Sequence, residues 1–292
     1  MFKKICWNLS SFFISLLPLR FIRLFGAYGA LFAISLSKNT KKRLLNNITK
    51  TKICDAAVAD KFASNTLKHL GMTLSESAYI VWCRNKKRVI DMVESEEGFA
   101  LVEKYLAEKQ PIVFITPHIG NFEVAVKYFY YRFPSLDLTV IYKPNKDTFI
   151  EKIVFDGREE DRAHFVKTNR SGVVSLVRAL RDNKAIGILP DNVASSGDGA
   201  WVDFFGVPVY ATTLAAKMIL LEMKPKAILI SSVRTKKGLK IKAEEIIPES
   251  YTDYLVVMKQ IYTKIEELVS KHPEQFYWSY DRFRVPKGAK NA

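Results

Sequence analysis

Four histidines occur in the 292 residues, at positions 69, 118, 164 and 272. Only His118 directly follows a strongly apolar run, in Thr116-Pro117-His118-Ile119-Gly120-Asn121-Phe122-Glu123. Pro117 and Gly120 predict a turn, Asn121 predicts a helix N-cap, and Glu123 then falls in the first helical turn, where a carboxylate suits the helix dipole. On an uninterrupted helix, side chains five residues apart point about 140° away from each other. With His118 in the turn instead, the chain can fold back and bring the Glu123 carboxylate to the imidazole, giving a base with its orienter. Neutral imidazole is suited to removing a hydroxyl proton near neutral pH while the oxygen attacks an acyl carbonyl. The carboxylate would fix the tautomer and stabilise the imidazolium. Spacing alone leaves open a plainer alternative, a surface histidine beside a dipole-compensating glutamate.

Positioning such a pair requires a scaffold, and the pattern from Gln110 onward supplies one. Short apolar, partly β-branched runs at 112–116, 138–142, 185–189 and 227–233 read as strands. Between and after them lie helix-period segments at 123–131, 171–183, 212–223 and 251–271. Strand and helix alternating predicts an α/β fold with a mixed, largely parallel central sheet flanked by helices. Ligands in such sheets collect beyond the carboxyl ends of the strands. The informative segments are therefore 117–123, 143–146 and 190–199. Residues 41–104 read mainly helical, with apolar positions three and four apart through Ala63, Leu67, Leu70, Leu74, Ala78 and Trp82. There is no internal repeat or low-complexity tract.

The chain carries 45 basic and 30 acidic residues, a formal charge of +15, with 48% apolar content. That composition excludes a disordered chain and favours an anionic partner such as nucleic acid, a phosphorylated lipid or an acidic protein. The first 54 residues hold ten basic residues and no acidic one, two thirds of the excess. They also contain uncharged apolar runs at 5–19 and 24–36, separated by Arg20 and Arg23. As helix these runs reach roughly 22 and 20 Å, short of a hydrocarbon core of about 30 Å. A tilted helix with snorkelling arginines, a re-entrant pair, and two interfacial helices all fit; one monotopic or barely spanning anchor fits most simply. A cleaved signal peptide would need a small-x-small site, and none precedes the arginines. The expected organisation is a membrane anchor over 1–40 and one further domain over 41–292, composed of a helical connector at 41–104 and an α/β catalytic core at 105–292. Three cysteines (Cys6, Cys54, Cys83) lack metal or redox spacing, and their odd number suits a reducing compartment.

Thr116 to Glu123 resembles the signature of the lysophospholipid-type acyltransferases, a His, four residues, and an Asp or Glu. More narrowly, the chain is similar to the bacterial lipid A late acyltransferases, the lauroyl and myristoyl transferase family. Further matching pieces run in family order: Tyr142-Lys143-Pro144-Asn145, Gly157-Arg158-Glu159, Leu189-Pro190-Asp191, Phe204-Phe205-Gly206-Val207-Pro208 followed by Ala211-Thr212-Thr213, and 278–284. The resemblance implies His118 and Glu123 as catalytic, joined by an arginine between 158 and 170, Arg158 before Arg170, and by Asp191. It also implies substrate-binding roles for Asn121, Lys143, Arg170, Phe204 and Phe205. An arginine fork suits a lipid or carrier phosphate, or a polarised thioester oxygen; a solvated helix face is the alternative for Arg158, turn formation for Asp191, and core packing for the two phenylalanines. The chain departs from the pattern at Asn192-Val193-Ala194, where another acidic residue is common. It departs again at Ser279-Tyr280-Asp281, where a His is common, so 278–284 is assigned no catalysis.

The function so implied is transfer of a long-chain fatty acyl group from an acyl carrier protein thioester to a hydroxyl of a lipid A precursor in lipopolysaccharide biosynthesis. The expected partners are an anionic lipid acceptor, the acyl carrier protein and the membrane, with no nucleic acid, no metal, and no cofactor beyond acyl carrier protein or acyl-CoA as cosubstrate. The expected location is the bacterial inner membrane with the catalytic domain on the cytoplasmic face, following the positive-inside tendency. A glycerophospholipid or mannosylated inositol lipid as acceptor is the nearest alternative, and a nonenzymatic basic membrane tether a more distant one.

Overall fold

The computed structural model describes residues 17–82, 86–145, 147–158 and 160–289. Lys3, Lys4, Cys6, Cys83, Lys146, Glu159 and the start of the first apolar run lie outside the described residues. In chain order the helices are α1 (Leu19–Ser35), α2 (Lys38–Thr51), α3 (Ala59–Trp82), α4 (Lys86–Asp91), α5 (Phe99–Ala107), α6 (Phe122–Arg132), α7 (Thr148–Arg158), α8 (Arg170–Arg181), α9 (Leu214–Ile219) and α10 (Tyr254–Lys271). The strands are β1 (Val93–Glu97), β2 (Ile112–Ile115), β3 (Leu138–Tyr142), β4 (Ala163–Lys167), β5 (Ala185–Ile188), β6 (Gly199–Phe204), β7 (Val207–Thr212), β8 (Lys226–Arg234) and β9 (Leu239–Ile246).

Seven strands form one sheet in the order β1-β9-β8-β2-β5-β3-β4. β8, β2, β5, β3 and β4 run parallel, and β9 turns back antiparallel to β8 with β1 parallel to it at the edge. The expected mixed, largely parallel sheet is therefore present. β2 and β5 sit at its centre and are buried at every position, as their unbroken apolar sequence requires of strands covered on both faces. Alternate β2 residues feed opposite cores. Val113 and Ile115 pack toward α8 and α10, while Ile112 and Phe114 pack toward α5 and α6. β6 and β7 form a separate antiparallel hairpin, so the segment at 212–223 is helical only from Leu214 to Ile219.

Two features of the N-terminal third lie beyond its helical and apolar pattern. β1 falls within the stretch read as a helical connector, yet it is an edge strand of the main sheet. Its sequence, Val-Glu-Ser-Glu-Glu, has one half-buried residue and four exposed ones, so hydropathy carries no strand signal there. The other concerns the anchor. Among the described residues no single helix is long and apolar enough to cross a membrane; α1 and α2 pass together by length and composition, but with a bend of 103° between them. α1 does not stand apart from the body. It crosses α3 where Gly26 meets Gly71, so closely that a β-carbon on Gly71 would lie 2.0 Å from the Gly26 carbonyl oxygen. Only glycine at both positions permits that approach.

Candidate functional site

β2 and β5 pair in register, Ile115 opposite Ile188. Three residues further along each strand stand His118 and Asp191, reached through Pro117 and Pro190. Parallel neighbours advance together, so register alone delivers the two side chains to one spot at the carboxyl end of the sheet. His118 Nδ1 lies 2.7 Å from Asp191 Oδ1, and the His118 backbone N–H donates to Oδ2 at 3.0 Å. Asp191 is fully buried. Burial alone would raise its carboxyl, but the facing His118 and the Arg282 guanidinium hold it well below the usual carboxylate range. Arg282, itself buried, donates to Asp191 Oδ2 at 3.2 Å and also to the Asp191 carbonyl oxygen. An ionised carboxylate only accepts, so Nδ1 carries the proton and the lone pair of Nε2 is left to act as a base. Phe122 packs edge-on to the imidazole, ring centres 4.8 Å apart.

The turn bearing His118 is pinned by backbone. Gly120 adopts φ of +57°, and a β-carbon there would lie 1.8 Å from the Ser232 carbonyl oxygen, so no larger residue fits. Its N–H donates to Gln275 O at 2.9 Å, the Asn121 N–H donates to Ser232 O at 2.8 Å, and the Tyr277 N–H donates to His118 O at 3.0 Å. The C-terminal segment so engaged is held in turn by α2, whose Asn47 amide donates to Trp278 O and Tyr280 O at 2.7 and 2.8 Å.

Behind the turn lies a second buried carboxylate, Glu76 of α3. It accepts from Arg23 Nε at 2.6 Å, from Arg234 Nε and Nη2 at 2.9 and 2.8 Å, and from Asn121 Nδ2 at 2.9 Å. Burial would raise this carboxyl too, but Arg234 and Arg23 bring it below its ordinary range. Arg234 Nη2 also donates to the Gly120 carbonyl at 3.2 Å, tying the cluster to the turn that bears His118. His69 neighbours Arg234 at 3.4 Å, and burial together with that cation lowers its pKa to about 4.

The sequence-predicted residues divide. His118 and Asp191 are brought together. Glu123 is not the partner of His118: its carboxylate is gripped by both prongs of Arg158, with Nε donating to Oε2 at 2.9 Å and Nη2 to Oε1. The physical reason is competition. Register places Asp191 on Nδ1, and a guanidinium fork at the end of α7 satisfies Glu123 bidentately. Asn121 is fully buried and both ends of its amide are used, Oδ1 capping α6 through the Val124 N–H at 3.1 Å and Nδ2 meeting Glu76, so its role is capping and not substrate contact. Phe204 is fully buried in the core and Phe205 half-buried against Trp278, which is core packing. Lys143 and Arg170 are exposed. Sequence reasoning missed Arg282, inside the stretch assigned no catalysis, and missed Glu76 with its two arginines; no local pattern marks either. Among the described residues, no group of three His, Cys, Asp or Glu side chains is arranged to hold a metal ion.

A family model described as bacterial lipid A biosynthesis acyltransferase matches residues 6–285. The chain belongs to that family. A lipid A biosynthesis acyltransferase of Haemophilus influenzae is 22% identical over 223 residues, covering 75% of this chain and 69% of the relative. The protein is thus an acyltransferase, and membership of the lipid A biosynthesis acyltransferases implies a lipid acceptor. In this lipid A biosynthesis acyltransferase the His118 imidazole is backed directly by the buried Asp191 carboxylate.

Proposed function

We propose that this acyltransferase moves a long-chain fatty acyl group from an acyl carrier protein thioester to a hydroxyl of a lipid A precursor, with His118 as general base oriented by Asp191. The observation that carries the reading is the His118–Asp191 pair at the carboxyl ends of two adjacent parallel strands. The acceptor hydroxyl gives its proton to Nε2 as its oxygen attacks the thioester carbonyl carbon. The tetrahedral intermediate collapses, the carbon–sulfur bond breaks, and the leaving thiolate takes the proton from the imidazolium. Asp191 offsets the imidazolium charge while it lasts, as a buried acidic partner does in hydrolytic triads. Arg158 serves as the electrophilic arm, toward the polarised thioester oxygen or an acceptor phosphate, and Glu123 is its positioning residue. The step needs no resident cofactor or metal, only the cosubstrate thioester.

The same reading places the protein at the cytoplasmic face of the bacterial inner membrane. Supporting it, α1 presents a continuous apolar stripe outward: Phe21, Leu24, Phe25, Tyr28, Phe32 and Leu36 are 40 to 74% exposed. A stripe of that size on a soluble surface ordinarily marks a membrane or protein contact. The net charge of +15 suits an acidic carrier protein and a phosphorylated acceptor alike. The test is to incubate detergent-solubilised protein with isotopically labelled acyl carrier protein thioester and a panel of lipid acceptors, with product identified by mass spectrometry. Acylated lipid A precursor is expected. Acylation confined to glycerophospholipid or inositol lipid would overturn the acceptor, and transfer only from acyl-CoA would overturn the donor.

A further inference from the structure

On the far side of the Glu76 cluster from His118, α1, α3 and the β8–β9 turn enclose a groove of about 370 Å³, within the size range of small-ligand clefts. Besides Arg23, four cations line it: Arg20 from α1, Lys68 from α3, and Lys236 and Lys237 from the turn. Among the described residues no acidic residue lines the groove, and none of the four is ion-paired to a carboxylate. Glu94, on the adjoining edge strand β1, accepts from the hydroxyl of Thr235. Arg23, at the groove floor, is already committed to Glu76 and to the carbonyls of Thr235 and Gly238 at 3.2 and 2.9 Å. It thereby fixes the turn that carries the two lysines. Glu76 is shared between two guanidiniums, so the cluster adds one further net positive charge beneath the groove.

We infer that this groove seats the phosphate headgroup of an anionic phospholipid of the bilayer, so that the protein docks on membranes by an apolar helix face and a headgroup site side by side. The occupant follows from the pairing of chemistries. Leu24 and Tyr28 line the groove and also belong to the exposed apolar stripe of α1. A ligand filling both must be anionic at one end and apolar next to it. Nucleic acid satisfies only the cations and an acidic protein surface offers no acyl chain. The path from the groove to the catalytic turn runs through Arg23, Glu76 and Asn121, the last two fully buried, so the seat belongs to a bilayer lipid and not to the reacting one. The inference deepens the membrane placement proposed above, and its test involves no acyl transfer, so that it can fail while the catalytic reading stands.

The experiment is flotation of the full chain with vesicles of phosphatidylcholine alone, and of phosphatidylcholine with about a third phosphatidylglycerol, at near-physiological salt. A basic residue near an anionic surface strengthens binding about fivefold, so Lys236→Gln with Lys237→Gln should weaken attachment to the anionic vesicles about 25-fold and leave the zwitterionic ones nearly unchanged. Phe25→Ser with Phe32→Ser should weaken both. The lysines are exposed in a turn and their replacement is not expected to disturb folding; should the pair do so, each single variant gives the same comparison at about fivefold. Unchanged attachment of the lysine variant to phosphatidylglycerol vesicles overturns the proposal. So does an equal loss on both vesicle types, which would place the lysines in general packing. A third arm presents the lipid A precursor in neutral detergent micelles: weakened capture there with phosphatidylglycerol binding intact would assign the groove to the acceptor's own phosphate and overturn the inference as well.

Discussion

Asp191 and Glu76 are both fully buried carboxylates flanking the same turn between β2 and α6, yet their partners differ in kind. Glu76 is met by two guanidiniums and an amide, none of which changes charge in water near neutral pH. Asp191 is met by one guanidinium and by one imidazole, a ring able to give and take a proton. The first is a permanent clamp on backbone: through Arg234 and Asn121 it fixes Gly120 and the start of α6. The second, on the proposed mechanism, is an electrostatic partner that becomes more valuable at the moment His118 takes a proton. A buried carboxylate is therefore structural or chemical according to whether its neighbours can titrate.

That contrast can be broken at either end. His118→Ala should lower kcat by about 10² to 10⁴, the usual range for a lost general base. Asp191→Asn should fall in the same range with the fold retained, because an amide leaves Arg282 a partner but no longer fixes the tautomer. Single-turnover assays on variants of native circular dichroism check both, and near-normal turnover in either would end the proposed mechanism. Glu76→Gln should act on stability instead. Leaving two buried guanidiniums uncompensated costs about 3 to 5 kcal/mol, readable as a drop in denaturation midpoint, with kcat of the folded fraction much less affected.

Finer tests sharpen the comparison. Glu123→Gln loosens Arg158 and should reduce kcat/KM by about 10- to 100-fold without moving the acid limb of the pH–rate profile. A shifted limb would mean that Glu123 communicates with His118 after all. The smallest effect concerns pH and stability. The folded pKa of His69, about 4, lies below its unfolded value of about 6.5, so between those values the unfolded chain binds more protons. Stability should then decline as pH falls across that window, by at most about 1.4 kcal/mol per unit. Chemical denaturation of His69→Gln at pH 7 and pH 5 should show a flatter dependence. The depressed carboxyls of Asp191 and Glu76 act in the same sense at lower pH: their stabilisation is complete above their unfolded values of about 4 and is lost as pH falls below that.

Much of the frame was readable from pattern. The central strands are apolar throughout and the helices between them keep a period near 3.6 residues, so burial on both sides of a sheet announces itself. The pairing of His118 with Asp191 was also readable in principle, because Ile115-Thr116-Pro117-His118 and Ile188-Leu189-Pro190-Asp191 follow one plan and adjacent parallel strands align such plans. Proximity in sequence favours Glu123 as the partner of His118 instead, because strand order is not encoded in any one segment. β9 carried a signal that was overlooked, with Leu239, Ile241 and Ala243 inward and lysines between them. β1 carried none, being a charged edge strand placed by its partner. Arg282 and Glu76 lie 91 and 158 residues from the groups they bind. No local propensity encodes such distances.

The crossing of α1 and α3 at Gly26 and Gly71 has a mechanical reading. Backbone rests on backbone there, with no flexible side chain as a cushion, and Arg23 one turn earlier is bolted to Glu76, which grips the catalytic turn. Whatever surface α1 lies on, His118 stands at a set height above it. On the proposed membrane placement and mechanism the molecule would work as a caliper: its reach from that surface to the reacting hydroxyl would be a constant of the fold, and an acceptor would be selected in part by how far its hydroxyl protrudes.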